Sequence, residues 1–540
     1  MTIHPAVVER LARLAPDQRA AATSPPGPSL CIAPAGSGKT TTLVARAAWL
    51  IATGTAPETI RAITFNKRAA VEMTERLDAA VAPLGVTPGA VRVRTFHALG
   101  REILRDAGVA VEPMADRAAI LAEVAPWADD AARLRMDTVI SRLKVESGVT
   151  TAAVAADPEA GPFARAFVAY EAAVAASGGL DFDDLILRAI ARLDADASLL
   201  ARWRERCTEL LVDEVQDVDR AQLRLALLLA APANRIFLVG DDDQSIYGWR
   251  LADVRRILGL AEHLPGLQRV DLEVNYRCPR KVVERAVRLV EHNGERFAKR
   301  IRAGPGASGR LILAADASDE TVRVERAVRS WPEDGSTRAV LARTNRELLP
   351  AVVVALRLGL PFRAPRIDLL IDSPLVDVLL ERAGSRPISE HLLVALGRVK
   401  KEATPEPAEQ ELTTALLGWA IGHRDLASLR AAIADTRARL AELRRDDAPL
   451  TLATAHATKG LEFDHVVVVG METGRFPSAR AVAEADDPTR AYEEERRLGY
   501  VAWTRARRSL TLLYDPTVPS PFLLEAFSAE ELGLAATMPP

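Results

Sequence analysis

The chain has 540 residues, too many for one hydrophobic core and enough for two to four domains. Hydrophobic residues make up 49% and charged residues 26%, which excludes a disordered or fibrous chain. A formal net charge of −3 excludes a global basic field, so any grip on nucleic acid has to come from local arginine-bearing surfaces. Lysine occurs only at positions 39, 67, 144, 281, 299, 400, 401 and 459; every other basic residue is arginine, a bias that fits a GC-rich genome.

The first ten residues lack a basic stretch followed by an apolar one, and no apolar run approaches the ~18 residues that span a bilayer. The expectation is a cytoplasmic protein without membrane attachment. Cys31, Cys207 and Cys278 are far apart and lack metal-ligand or redox spacing, so they are expected as buried thiols in a reducing compartment.

The first informative element is an apolar run, Leu30-Cys31-Ile32, followed by Ala33-Pro34-Ala35-Gly36-Ser37-Gly38-Lys39-Thr40 and a helix-prone stretch to Leu50. This strand-turn-helix setting is the one a phosphate loop requires. Gly36 and Gly38 let backbone N–H groups converge on an anion at a helix N-terminus, Lys39 reaches the β and γ phosphates, and the Thr40 hydroxyl holds Mg²⁺. The usual first glycine is Ala33 here.

Short β-rich runs then alternate with helical stretches: 60–65, 91–96, 210–213 and 235–240 each end in a polar or glycine-bearing turn. That alternation predicts a parallel α/β sheet with ligands at the carboxyl ends of its strands. Between them, 106–179 reads as a mainly helical insert with apolar positions at Ile120, Leu121, Val124, Leu134, Ile140 and Leu143.

The run Leu211-Val212-Asp213-Glu214-Val215-Gln216-Asp217 puts two carboxylates just after a strand, where a hydrolytic phosphate-loop enzyme needs them. Asp213 suits Mg²⁺, and Glu214 suits orienting and deprotonating the attacking water. The next strand runs into Asp241-Asp242-Asp243-Gln244-Ser245-Ile246-Tyr247-Gly248-Trp249-Arg250. The neutral amide of Gln244 can contact a γ-phosphate without repelling it, and Tyr247 and Trp249 offer flat surfaces to bases a few residues on.

A second strand series begins at 338–343 and resumes at 450–455, 465–470 and 509–514, interrupted by helical sequence at 372–447. That insert contains a loop-like Lys401-Glu402-Ala403-Thr404-Pro405-Glu406-Pro407, and its last helix groups Leu426, Leu429, Ile433, Leu440 and Leu443 near one face, as ordinary internal packing. Two arginine-bearing segments, Asn275-Tyr276-Arg277 and Thr504-Arg505-Ala506, lie far downstream of the phosphate loop. A nucleotide site assembled from such distant parts of a chain points to a motor.

With these residues in place, the chain resembles the superfamily 1 DNA helicases of the UvrD/Rep/PcrA group, in order from about Leu14 to Tyr514. Leu14-Ala15-Pro16-Asp17-Gln18 resembles the motif that reads adenine. Ile63 to Ala70, Thr95-Phe96-His97-Ala98-Leu99 and Asp181-Phe182-Asp183-Asp184-Leu185 resemble further family blocks, the first two of them DNA-contacting. Ala339 to Asn345, Thr454 to Phe463 and Glu493 to Ala506 resemble the family's segments in the second domain.

The resemblance implies an α/β protein of two tandem RecA-like domains, one formed by 1–105 with 180–275 and the other by 276–371 with 448–540. Each is interrupted by its helical insert, 106–179 or 372–447. It implies an ATP- and Mg²⁺-dependent helicase moving 3′ to 5′ on single-stranded DNA and opening duplex at junctions, in repair, replication or recombination and with possible protein partners there. Its nucleotide-binding residues would be Gln18, the loop Ala33, Pro34, Ala35, Gly36, Ser37, Gly38, Lys39 and Thr40, then Thr41, with Tyr276 stacking on adenine and Glu462 on the ribose. Metal falls to Thr40 and Asp213, catalysis to Glu214 and Gln244, with Arg277 and Arg505 as arginine fingers. DNA contacts fall to Phe65, His97, Tyr247, Trp249, Arg250 and His456.

Several positions depart from the family pattern: Asn66-Lys67-Arg68 after Phe65, Ala98 for a common serine, Thr458 for a common alanine, and a second insert much shorter than the family's. The short insert keeps open a translocase that moves along single strands within a complex without unwinding efficiently by itself. A phosphate-loop kinase of small molecules would leave the aromatic turn and the second core unexplained, and a fused nuclease is less expected because no extended tail offers a separate carboxylate site.

Overall fold

The computed structural model describes residues 3–157, 159–385, 391–404 and 407–534. The chain forms two compact units, 1–308 with 481–504 and 309–480 with 505–540. The expected second domain was 276–371 with 448–540, whereas 276–308 and 481–504 pack within the first unit.

The first unit is built on six parallel strands: β1 (Ser29–Ile32), β2 (Ile60–Thr64), β3 (Arg92–Thr95), β4 (Glu209–Val212), β5 (Ile236–Gly240) and β6 (Gln268–Asp271), in the order β3-β2-β4-β5-β1-β6. Strands β1, β2, β4 and β5 are buried throughout, as the apolar runs of the sequence demand of a sheet covered on both faces. Strand β6 was not anticipated; its partly exposed Gln268-Arg269-Val270-Asp271 hides the alternation, and it joins as an edge beside β1. Side chains project alternately, so one core gathers Leu30, Ile32, Leu210, Val212 and Leu238, and the other Cys31, Ala62, Leu211, Phe237 and Val239.

The predicted insert of the first unit holds the helices Arg117–Val124, Asp130–Ser141, Thr151–Ala155 and Pro162–Ala176, with a π-helical turn at Arg142–Ser147. It has its own core of Leu121, Met136, Ile140, Phe167, Tyr170 and Val174. Leu134, one of the insert's apolar positions, is 71% exposed, whereas Met136 and Ile140 of the same helix enter the core. The helix Phe96–Asp106 packs closely on the helix Phe182–Ala195, and a Cβ at Gly100 would run into the Leu185 carbonyl.

The second unit carries another six-stranded parallel sheet in the order Phe362–Arg363, Leu450–Thr454, Arg338–Ala342, Phe463–Val468, Ala506–Tyr514 and Arg310–Ala315. The two outer strands were not read from sequence, one being only two residues long and the other partly exposed. Its insert consists of the helices Pro374–Gly384, Leu392–Glu402, Pro407–Ala420 and Leu426–Leu443. The loop expected at 401–407 is narrower than predicted, and residues 405 and 406 lie outside the described residues. The last helix divides its apolar residues: Leu429 and Ile433 enter the insert core, whereas Leu440 and Leu443 enter the core under the sheet.

Cys31, Cys207 and Cys278 are buried free thiols. Among the described residues, no helix is long and apolar enough to cross a membrane.

Candidate nucleotide and DNA site

The parallel order of the first sheet decides which turns become neighbours at its carboxyl edge. Strand β1 delivers the loop Ala33–Thr40, β5 on one side delivers Asp241–Gln244, β4 beyond it delivers Asp213 and Glu214, and β2 delivers Phe65. The Ala33 N–H donates to the Gly240 carbonyl at 2.8 Å, fastening the loop to β5. Gly36 and Gly38 both take positive φ, +68° and +86°, and Gly38 is the N-cap of the helix Lys39–Ala52. Positive φ at both glycines lets the chain turn tightly from β1 into the N-terminus of that helix.

Two elements brace this loop from outside. Gln18 Nε2 donates to the Ser37 carbonyl at 2.7 Å, and its Oε1 accepts from the Ala15 N–H at 3.1 Å. The Tyr276 N–H donates to the Gly36 carbonyl at 2.9 Å, and a Cβ at Gly36 would lie 2.7 Å from both Arg277 Cβ and Asn275 Oδ1. Buried Asn275 in turn accepts at Oδ1 from the N–H groups of Arg277 and Cys278, each at 2.8 Å. Arg277 is thereby seated beside the loop, and its Nη1 donates to the Thr504 carbonyl at 3.3 Å. The Tyr276 ring is 49% exposed.

Lys39 Nζ lies 3.3 Å from Glu214 Oε2. Glu214 takes the left-handed conformation at φ +52°, and its carboxylate also accepts from Gln216 Nε2 at 2.6 Å. Gln216 Oε1 accepts from the Asp241 N–H at 2.9 Å, so one buried amide spans the ends of β4 and β5. Burial, and then the neighbouring Glu214 charge, push the Asp213 carboxyl up to about 7. Gln244 is buried, with Nε2 donating to Asp241 Oδ2 at 2.6 Å.

The predicted aromatics also gather in this unit. Phe65 stacks on Tyr247 with centroids 5.1 Å apart and planes 8° from parallel, and Trp249 meets Tyr247 edge-on at 6.2 Å. Trp249 is 54% exposed, with the Arg250 guanidinium 4.6 Å over its ring. The Gly248 N–H donates to Glu494 Oε1 at 3.0 Å, and a Cβ there would run into that carboxylate. His97 meets the exposed ring of Phe182 edge-on at 5.6 Å; burial lowers the His97 pKa, against the opposing pull of Asp183.

In the second unit, His456 lies in the turn Ala455–Thr458 after the strand Leu450–Thr454. Burial, then Arg343 and Lys459, lower its pKa to about 3, so the ring is neutral. Arg505 is buried at the start of the last strand, with Nη1 donating to the Leu461 carbonyl at 3.1 Å. Glu462 pairs with Arg507 at 3.2 Å. Sequence reading did not single out Gln216, Asn275 or Glu494 as individual site residues; polar residues with no charge change or catalytic spacing leave no local signal. The carboxylates of Asp241 to Asp243 were legible as a run, but not their burial.

Two segments match known domain families: residues 14–265 match the UvrD/REP helicase N-terminal domain, and 399–516 match the UvrD-like helicase C-terminal domain. The chain is 31% identical to ATP-dependent DNA helicase UvrD2 of Mycobacterium bovis, over 93% of this chain and 78% of that protein. It is 28% identical to DNA helicase II of Escherichia coli, over 93% and 84%, and 28% identical to ATP-dependent DNA helicase Rep of the same organism, over 95% and 94%. The DNA helicase II alignment runs to 622 positions against 540 residues here, so that relative carries segments this chain lacks. From its ordered motifs, its two parallel-sheet units and these matches, the chain belongs to the UvrD/Rep helicase family.

Proposed function

We propose that the chain is an ATP-dependent DNA helicase that moves 3′ to 5′ along single-stranded DNA and separates duplex at junctions, in DNA repair, replication or recombination. Helicase activity follows from family membership; the direction, the pathway and the residue roles are our reading. What carries it is the carboxyl edge of the first sheet, where the phosphate loop, the Lys39–Glu214 pair, buried Gln244 and the aromatic turn occupy successive strand ends of one unit.

In this reading the loop Ala33 to Thr41 wraps the triphosphate, with backbone N–H groups from Gly36 onward as donors and the side chain of Lys39 on its β and γ phosphates. Gln18 supports the loop and reads adenine beside the Tyr276 ring, and Glu462 takes the ribose. Glu214, held by Gln216, receives the proton of the attacking water, and Gln244 orients that water. Arg277 and Arg505 neutralise charge spreading onto the transferred phosphoryl group, an effect worth roughly 10³ or more in rate.

The donor set at Thr40 and Asp213 fits Mg²⁺, which ordinarily takes one or two protein ligands together with phosphate oxygens and water. A carboxyl raised first by burial and then by its acidic neighbour supports this fit, because a cation there would favour its charged form. When bound, the ion screens the β and γ phosphates. The reading places the enzyme in the cytoplasm, with its DNA and any repair or recombination partners.

Phe65, Tyr247, Trp249 and His97 in one unit take bases, aided by Arg250, and His456 in the other unit contacts DNA as well. Stacking contributes ~1–3 kcal/mol per base and tolerates any sequence, as a motor on DNA requires. The phosphate contacts tighten and relax with each ATP, which supplies the alternation for a directional step. The compact second insert and the longer alignments of the relatives favour a second reading, a single-strand translocase that unwinds poorly without partners. ATP-driven strand displacement on 3′-tailed, 5′-tailed and blunt duplexes decides: displacement on the 3′-tailed duplex alone supports the helicase, and stepping without displacement supports the translocase.

A further inference from the structure

The turn after β5 contains a charge arrangement that the roles above do not use. Asp241, Asp242 and Asp243 are all fully buried. Their charge is met by one short segment: Lys299 Nζ lies 3.1 Å from Asp241 Oδ1 and 2.9 Å from Asp243 Oδ2, and it also pairs with Asp242. Arg296 grips Asp243 through Nε at 3.0 Å and Nη2 at 2.8 Å, and the Phe297 N–H donates to Asp242 Oδ2 at 2.8 Å. The Lys299 side chain is 1% exposed, so this lysine has no solvent role.

Asp241 joins this cluster to the nucleotide chemistry. One of its oxygens meets Lys299, the other accepts from Gln244 Nε2 at 2.6 Å, and its N–H reaches Gln216, the residue that holds Glu214. A carboxylate only accepts hydrogen bonds, so it directs the amide nitrogen of Gln244 toward itself. The same turn continues directly into Tyr247 and Trp249.

We propose that Lys299 is a positioning residue for ATP hydrolysis, holding Asp241 so that Gln244 and the turn bearing Tyr247 and Trp249 are set for the reacting water and for DNA. Without the lysine, three buried carboxylates face one arginine, and buried like charges this close do not all stay ionised and in place. Asp241 then loses the cation that fixes its Oδ1, and Gln244, held by its Oδ2, loses its fixed orientation. This inference rests on the reading of Gln244 as the residue that orients the water.

The test compares Lys299→Met, Lys299→Arg, Gln244→Ala and the Met/Ala double variant for DNA-stimulated ATP turnover, ATP KM, affinity for single-stranded DNA and thermal midpoint. The expected result for Lys299→Met is a kcat lowered roughly 10- to 100-fold, the scale of a misplaced reacting group, with KM and DNA affinity near those of the parent. Lys299→Arg recovers most of the rate, and the double variant is no slower than Gln244→Ala. A parent-like kcat in Lys299→Met beside a slow Gln244→Ala overturns the proposal. So does a parallel decline of turnover, nucleotide binding, DNA affinity and thermal midpoint, which marks a merely structural residue. A parent-like kcat in Gln244→Ala removes the underlying reading instead. Should Lys299→Met be insoluble, the near-isosteric Asp241→Asn replaces it, with the same expected fall and the same overturning results.

Discussion

Lys39 Nζ sits 3.3 Å from Glu214 Oε2, so the cation of the phosphate loop and the carboxylate after β4 neutralise each other across the ends of two strands separated only by β5. In the proposed reading a triphosphate competes for the lysine, and its arrival frees Glu214 from that ion pair to act on the attacking water. Grip and base activation are thereby linked. Glu214→Gln is expected to lower ATP turnover roughly 10²- to 10⁴-fold while nucleotide binding persists. Lys39→Ala is expected to lose both. Steady-state hydrolysis beside fluorescent-nucleotide titration separates the two, and near-normal turnover in either variant would refute the assignment.

Gly36 carries two constraints at once: φ of +68° and a neighbour 2.7 Å from any added Cβ on each of Arg277 and Asn275. Gly36→Ala should therefore cost about 1–3 kcal/mol from backbone strain alone, with a raised ATP KM as well. Gly85 has a similar φ of +75° but open space around its Cβ position. Gly85→Ala should show the stability loss without the change in KM.

Asn275 Oδ1 holds the N–H groups of Arg277 and Cys278 together in the interior. Asn275→Ala leaves two donors without that acceptor, an expected loss of about 1–3 kcal/mol for each one left unsatisfied. Because the same bonds seat Arg277, kcat should fall further than in Gly85→Ala at equal stability. Urea denaturation and single-turnover hydrolysis, measured on the same preparations, check both parts.

Trp249 exposes just over half of its surface beside a buried Gln244, so removing its ring should spare the nucleotide chemistry. Trp249→Ala is expected to keep basal ATPase and lose most of its stimulation by single-stranded DNA, in line with ~1–3 kcal/mol of stacking per base. Stimulation equal to the parent's would show that the turn does not contact DNA.

His456 is depressed to about 3 from an ordinary 6.5 by burial, and further by Arg343 and Lys459. Between those values the unfolded chain binds a proton that the folded chain refuses, so folding stability declines as pH falls from about 6.5 toward 3. His456→Gln should flatten that part of the stability profile, which denaturant unfolding at a series of pH values reads directly. Above pH 5 the ring is neutral, so DNA affinity should show no titration that His456→Gln removes.

The sequence by itself determined which side chains stand at the strand ends. Gly36-Ser37-Gly38-Lys39-Thr40, Asp213-Glu214 and Gln244 each sit within a few residues of an apolar run, and local order is enough to place them at strand ends. The four buried strands β1, β2, β4 and β5 were legible for the same reason, being short apolar runs closed by polar turns. Edge strands such as Gln268–Asp271 and Arg310–Ala315 were not, because half-solvated residues lose the continuous apolar signal.

Only the tertiary structure decided which distant groups complete one another. That Lys299 answers three aspartates, that Asn275 seats Arg277, that Gln216 spans β4 and β5, and that 481–504 packs with the first unit are matters of strand order and burial. A buried charge or amide must find its partner in space, wherever the chain happens to pass, and sequence spacing holds no record of that meeting.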